Sequence, residues 1–158
     1  MIRTKKRMIL CIALLIAMLS FIWGNSLTNG TDSGEMSGQL MQWINSFLRL
    51  DEQGADMLHH AVRKMAHFTE FACLGLLLTW LFGMAGEKKG HLFCAALLCA
   101  MAAACMDETI QVFVPDRGPS PIDIWIDTCG AAAGIVSLMI GHHYICRKHT
   151  HKILEETT

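Results

Sequence analysis

The stretch RKMAHFTEFACLG, residues 63–75, decides how this chain folds. Arg63, Lys64, His67 and Glu70 lead without a break into a run apolar enough to enter a lipid bilayer. Each ionisable group there costs free energy unless something neutralises or uses it, so this segment needs partners from elsewhere in the chain. Helical offsets of four and seven residues place Arg63, His67 and Glu70 on one stripe, which predicts where those partners must stand.

Working outward, residues 8–24, 68–85, 91–106 and 122–140 are apolar runs. Each is long enough, with its flanks, for a helix crossing roughly 30 Å of hydrocarbon. The expectation is an all-α, polytopic membrane protein, one domain over residues 1–158, with transmembrane helices at about 8–24, 65–85, 91–113 and 121–141 packed as a bundle. A hydrophobic content of 53% supports this, and a net charge of −1 offers no case for nucleic acid. The basic RTKKR before the first run has the look of a signal peptide, but FIWGNS after it lacks a small-residue cleavage site, so the run reads as an uncleaved anchor.

Orientation follows from Lys and Arg. Arg3, Lys5, Lys6, Arg7, Lys88, Lys89, Arg147, Lys148 and Lys152 fall on one side, and Arg49, Arg63, Lys64 and Arg117 on the other. The positive-inside bias puts both termini in the cytoplasm and the two longer connections outside a cell membrane that the chain crosses several times. Within the first outer connection, QLMQWINSFLRL at 39–50 sets Leu40, Trp43, Ile44, Phe47 and Leu48 at helical spacing. That pattern predicts an amphipathic helix at the interface, with a cap folded over the bundle as the alternative. The HKILEETT end reads as mobile, and the seven cysteines as small buried hydrophobes rather than disulfides.

The acids follow the same logic. Asp107 and Gln111 share a face near the end of the third helix, Glu108 borders it, and Pro115 stops the helix. Ser120 then reads as an N-cap with Pro121 at the first helical position, and Asp123 is placed to accept from freed amides of the first turn. Asp127, Gly130 and Gly134 continue the Asp123 stripe, and the two glycines permit close approach of another helix or a second copy of the chain. Asn25 and Ser26, closing the first run, read as a C-cap. Three segments thus send ionisable groups to one leaflet. A lock of ion pairs is one reading, but Glu70, Asp107, Glu108, Asp116, Asp123 and Asp127 outnumber Arg63, Lys64 and Arg117, and that surplus favours a binding site.

No HExxH, CxxC or repeated acid spacing fixes a metal, so no cofactor is assigned, with a divalent cation among the acids as the alternative. His67 beside Glu70, with Glu108 or Asp123 as a proton donor, would suit hydrolysis or transfer on a lipid-linked substrate. No nucleophile accompanies them: Ser120 is a cap, Thr69 lies off the face, and Cys73 reads as buried. The GHHYICRKHTH segment reads as a solvated basic helix end rather than a metal site.

RKMAHFTEFACLG, DETIQVFVPDRGPSPIDIWIDTCGA and FIWGNS together resemble the VanZ-like family, small bacterial membrane proteins named for an accessory protein of teicoplanin resistance. The likeness spans roughly 21–134. It implies a cell-envelope membrane protein facing outward, with Arg63, Lys64, His67, Glu70, Asp107, Glu108, Gln111, Arg117 and Asp123 matching the family pattern. The pattern more often carries Asn where this chain has Asp127, so this chain brings an additional acid. The expected role is binding or modulating a membrane lipid, a lipid-linked wall precursor or an acylated glycopeptide. A membrane-embedded hydrolase or transferase is the alternative.

Overall fold

The computed structural model describes residues 2–27, 44, 51–115 and 117–156, and it is helical throughout its described elements. Among the described residues four long helices run in order: α1 (Ile2–Leu27), α2 (Glu52–Met84), α3 (Lys89–Val112) and α4 (Pro121–Glu156). All four are long and apolar enough to cross a membrane. The expected interfacial helix at 39–50 lies, apart from Ile44, outside the described residues.

Helix ends follow their local sequence. Asp51 caps α2 by accepting from Gly54 N–H at 2.9 Å. That cap starts α2 well before residue 65, where the hydropathy pattern places the span, and Leu58 and Val62 give the added turns a half-buried face. At the other end Gly86 takes a φ of 84° while its N–H reaches Gly83 O and that of Glu87 reaches Phe82 O, each at 3.3 Å. Only a residue free to adopt the left-handed region closes the helix this way, and Lys89 begins α3 three residues on. Ser120 Oγ accepts from Ile122 N–H at 3.2 Å, so α4 opens at Pro121 as its sequence dictates. It then runs unbroken to Glu156, where the sequence suggested a mobile end.

Helices α2 and α3 touch each other, and both touch α1 and α4, so they form the middle of the bundle. The core joins Cys11, Leu15 and Ile22 of α1 to Phe71 and Leu74 of α2, Ala100, Ala103 and Ala104 of α3, and Ala131 of α4. Its smallness is deliberate chemistry for a membrane, where helices gain no hydrophobic driving force from leaving lipid and depend on close backbone approach. The α2–α4 seam shows this most clearly. A Cβ on Gly130 would strike the carbonyl of Phe68, one on Gly134 that of Ala72, and one on Gly75 that of Ala131. The glycine pair therefore lies against α2 of its own chain.

The outward faces are apolar as well. Ile9, Leu10, Ile16 and Phe21 of α1, Leu98 and Met106 of α3, and Trp125 of α4 are exposed. This is the surface a bilayer would cover, and it explains a correction: Cys73, Cys94, Cys99, Cys105 and Cys129 are exposed, and Cys11 is buried. In a membrane helix a small hydrophobe is as stable against lipid as in the core, so composition does not tell the two apart.

Candidate functional site

The last turns of α1 and α3, the first turns of α4 and the middle of α2 meet at the end of the bundle away from the chain termini. On α3, the buried stripe Leu92, Ala96, Ala100, Ala103 and Ala104 continues as Asp107, Glu108 and Gln111. The same geometry that packs alanines therefore packs carboxylates one turn later.

Asp107 is fully buried and held on both oxygens. Ser26 Oγ donates to its Oδ1 at 2.6 Å, and Gln111 Nε2 donates to its Oδ2 at 3.0 Å and to Ser26 Oγ at 3.3 Å. Asn25 reaches the next acid, donating from Nδ2 to Glu70 Oε1 at 3.2 Å, while its carbonyl accepts from Arg117 at 2.8 Å. Glu108 Oε2 accepts the backbone N–H of Ser120 at 2.8 Å, which fastens the start of α4 to α3.

Asp127 is different. It is fully buried and no hydrogen bond reaches either of its oxygens. Facing it is His67, whose Nδ1 lies 3.9 Å from Asp127 Oδ1 and 3.9 Å from Asp107 Oδ2, with no hydrogen-bond partner of its own. Those separations exceed hydrogen-bond length, so three polar groups confront one another without bonding. Glu70 Oε2 and Glu108 Oε1 are likewise buried without a donor. Buried polar atoms are nearly always satisfied, so several unbonded ones gathered in one place mark the polar centre of the site.

The basic residues lie toward the rim. Lys64 pairs with Asp123 at 3.0 Å, both partly exposed. Asp123 was expected to accept from first-turn amides; that role falls to Ser120, and Asp123 is left for Lys64. Arg63 is half-buried one turn before His67 and lies near enough to act on His67, Glu108 and Arg117. Burial, and then the neighbouring Arg63, push the Arg117 guanidinium below its ordinary value, while Asp107, Glu108 and Glu70 pull it back. A shallow apolar hollow between α3 and α4, around Lys89, Phe93, Met139 and Tyr144, lies far from this chemistry at the opposite end.

The residues predicted for the site lie at one end of the bundle, with Asp116 outside the described residues: Asp107, Glu108, Gln111 and Asp127 are buried, His67 and Glu70 are half-buried beside them, and Arg63, Lys64, Arg117 and Asp123 form a rim. Sequence reading missed Asn25 and Ser26, which it took for a C-cap. A signal was present, because Cys11, Leu15, Ile22 and Ser26 recur on one helical face, and Ser26 therefore continues the buried stripe of α1. Of the nucleophile candidates, Thr69 Oγ1 donates back to Met65 O at 2.8 Å and Ser120 caps α4, while Cys73, expected to be buried, is exposed.

Four helices of spanning length, closed at one end over buried acids and a histidine, define a polytopic membrane protein with a polar site within its bundle. The chain belongs to the VanZ family: the family model described as VanZ/LLP1 matches residues 8–142. No curated protein and no solved structure matches it.

Proposed function

We propose that this site binds the polar headgroup of a membrane lipid or a lipid-linked envelope precursor, taken from the outer leaflet of the bilayer. The observation that carries the reading is the set of buried acceptors without donors, Glu70 Oε2, Glu108 Oε1 and Asp127, beneath a rim of Arg63, Lys64 and Arg117. A headgroup that joins a phosphate to an amine or hydroxyls matches both layers. Guanidinium and ammonium groups at the rim take the phosphate, and the inner carboxylates accept from the amine or hydroxyls. The acyl chains would lie along the apolar outer faces of the helices. The Lys and Arg asymmetry supports an extracytoplasmic position for this end, with both termini in the cytoplasm. By family resemblance, an acylated glycopeptide of the teicoplanin type is a further ligand of the same chemistry, and occupancy would change how such molecules are displayed at the membrane surface.

The test is binding of phosphoethanolamine-headed and undecaprenyl-phosphate-linked lipids to the purified full chain in nanodiscs, with Arg117→Ala and Glu108→Gln beside it. Each substitution should weaken binding by about tenfold or more, the scale of one charge-assisted contact. Unchanged affinity in both would dispose of the reading. A second reading, a hydrolase or transferase in which His67 acts as base, rests on the unbonded Nδ1. It predicts a new lipid species on expression, which comparative lipid mass spectrometry would reveal.

A further inference from the structure

We propose that His67, Asp107 and Asp127 form a binding site for a divalent transition-metal ion of the Mn2+ or Zn2+ type where α2, α3 and α4 meet. The site goes beyond headgroup binding and does not depend on it; with the ion on Asp127, Glu70 Oε2 and Glu108 Oε1 are the acceptors left for a headgroup.

Each of these residues offers one ligand atom, and the three atoms lie within 4.8 Å of one another. A triangle with no longer side has a point within about 2.8 Å of every corner, so side-chain rotations of under ~1 Å bring all three donors to the roughly 2.0–2.2 Å of bonds to such ions. Hydrogen bonding does not explain the arrangement, since His67 Nδ1 stands 3.9 Å from each aspartate and Asp127 has no donor on either oxygen. Both aspartates are fully buried, and buried charges are tolerated when paired or coordinated to a metal. Two carboxylates supply the charge that one divalent ion cancels.

The surroundings are built like a ligand shell. Ser26 and Gln111 fix both oxygens of Asp107, as outer hydrogen bonds orient a ligating carboxylate. One imidazole nitrogen with carboxylate oxygens suits Mn2+, Fe2+ or Zn2+, and is poor for Cu+, which seeks thiolate, or for Ca2+, which seeks oxygen alone. Arg63 and Arg117 act on His67 and oppose a cation. Asp107 and Asp123 act on His67 in the opposite sense, and the charges acting on Asp127 are all acids, namely Asp107, Glu108, Asp123 and Glu70. Three protein ligands leave coordination positions open, where water or a phosphate oxygen could bind.

The full chain, purified in detergent and stripped with a chelator, is titrated with Mn2+ alone and followed by electron paramagnetic resonance. The site predicts one tightly held ion per chain, with a 14N coupling from the His67 imidazole in the electron spin echo. His67→Gln should abolish that coupling, Asp127→Asn should weaken binding by about tenfold or more, and Asp56→Asn, an exposed acid elsewhere on α2, should change nothing. No retained Mn2+, no 14N coupling in the unsubstituted chain, or unchanged affinity in Asp127→Asn each overturns the proposal. The coupling is read on the native sequence, so it stands whether or not the variants fold. Loss of headgroup binding with Mn2+ binding intact would remove the headgroup reading alone.

Discussion

Ser26 Oγ donates a 2.6 Å hydrogen bond to Asp107 Oδ1, and neither residue is exposed, so the last turn of α1 is tied to the acidic end of α3 inside the bundle. Helix α1 also reaches the site through Asn25, which touches both Glu70 and Arg117. The first span is thus part of the site's wall, beyond any role as an anchor. Removing the hydroxyl leaves a buried carboxylate oxygen without its donor. Ser26→Ala should therefore destabilise the bundle by about 1–3 kcal/mol, read as a lower Tm in detergent. An unchanged Tm would mean that Asp107 is held by Gln111 alone.

Gly134 packs against the backbone of α2 at Ala72, and Gly130 against that at Phe68. Gly134→Ala and Gly130→Ala must push α2 and α4 apart, at a cost of about 1–3 kcal/mol or more, because backbone cannot yield as a side chain does. Gly90→Ala meets open space and is the matched control. Thermal unfolding of the three variants would show the contrast; equal midpoints would contradict the seam.

Asp127 presents opposite expectations for stability and for binding. Its carboxylate is buried without a donor, so Asp127→Asn, which lowers the desolvation penalty, should raise Tm in chelator. Added Mn2+ should stabilise the native chain more than Asp127→Asn at the same concentration, since a ligand stabilises the folded state in proportion to how tightly that state binds it. A variant less stable than the native chain in chelator would show that Asp127 has a structural partner.

Lys64 and Asp123 form a pair at the exposed edge of the site. Pairs of this kind contribute about 0–1 kcal/mol, so Lys64→Met should shift stability by no more than that. A larger loss of Tm would assign Lys64 a part in holding α2 to α4.

Gly118 is exposed in the connection between α3 and α4, with open space around its Cα. In a chain whose native cysteines are replaced by Ala or Ser, Gly118→Cys should react with a membrane-impermeant maleimide on intact cells. Reaction confined to permeabilised cells would turn the polar end toward the cytoplasm.

Much of this was legible in the amino-acid order. Four apolar runs and their turn residues predicted four helices, and the placement of His67, Asp107 and Asp127 on helical stripes anticipated that they would converge. The early start of α2 was not legible, because residues 52–62 carry too little apolar character to register as a span, and their helix depends on the Asp51 cap. Lipid-facing and core-facing cysteines were also indistinguishable, since both environments are apolar.

Sequence by itself determined that the chain is helical, that it is built to cross a membrane, and that the acids and the histidine carried by its second, third and fourth spans fall toward the same end. These follow from periodicity and from the penalty on charge in hydrocarbon, both properties of single segments. Tertiary structure decided which acids are satisfied and which are not. Whether Ser26 reaches Asp107, or His67 stands between two aspartates beyond hydrogen-bond range, depends on how four helices rotate against one another, and that rotation is set by contacts between residues distant in the chain.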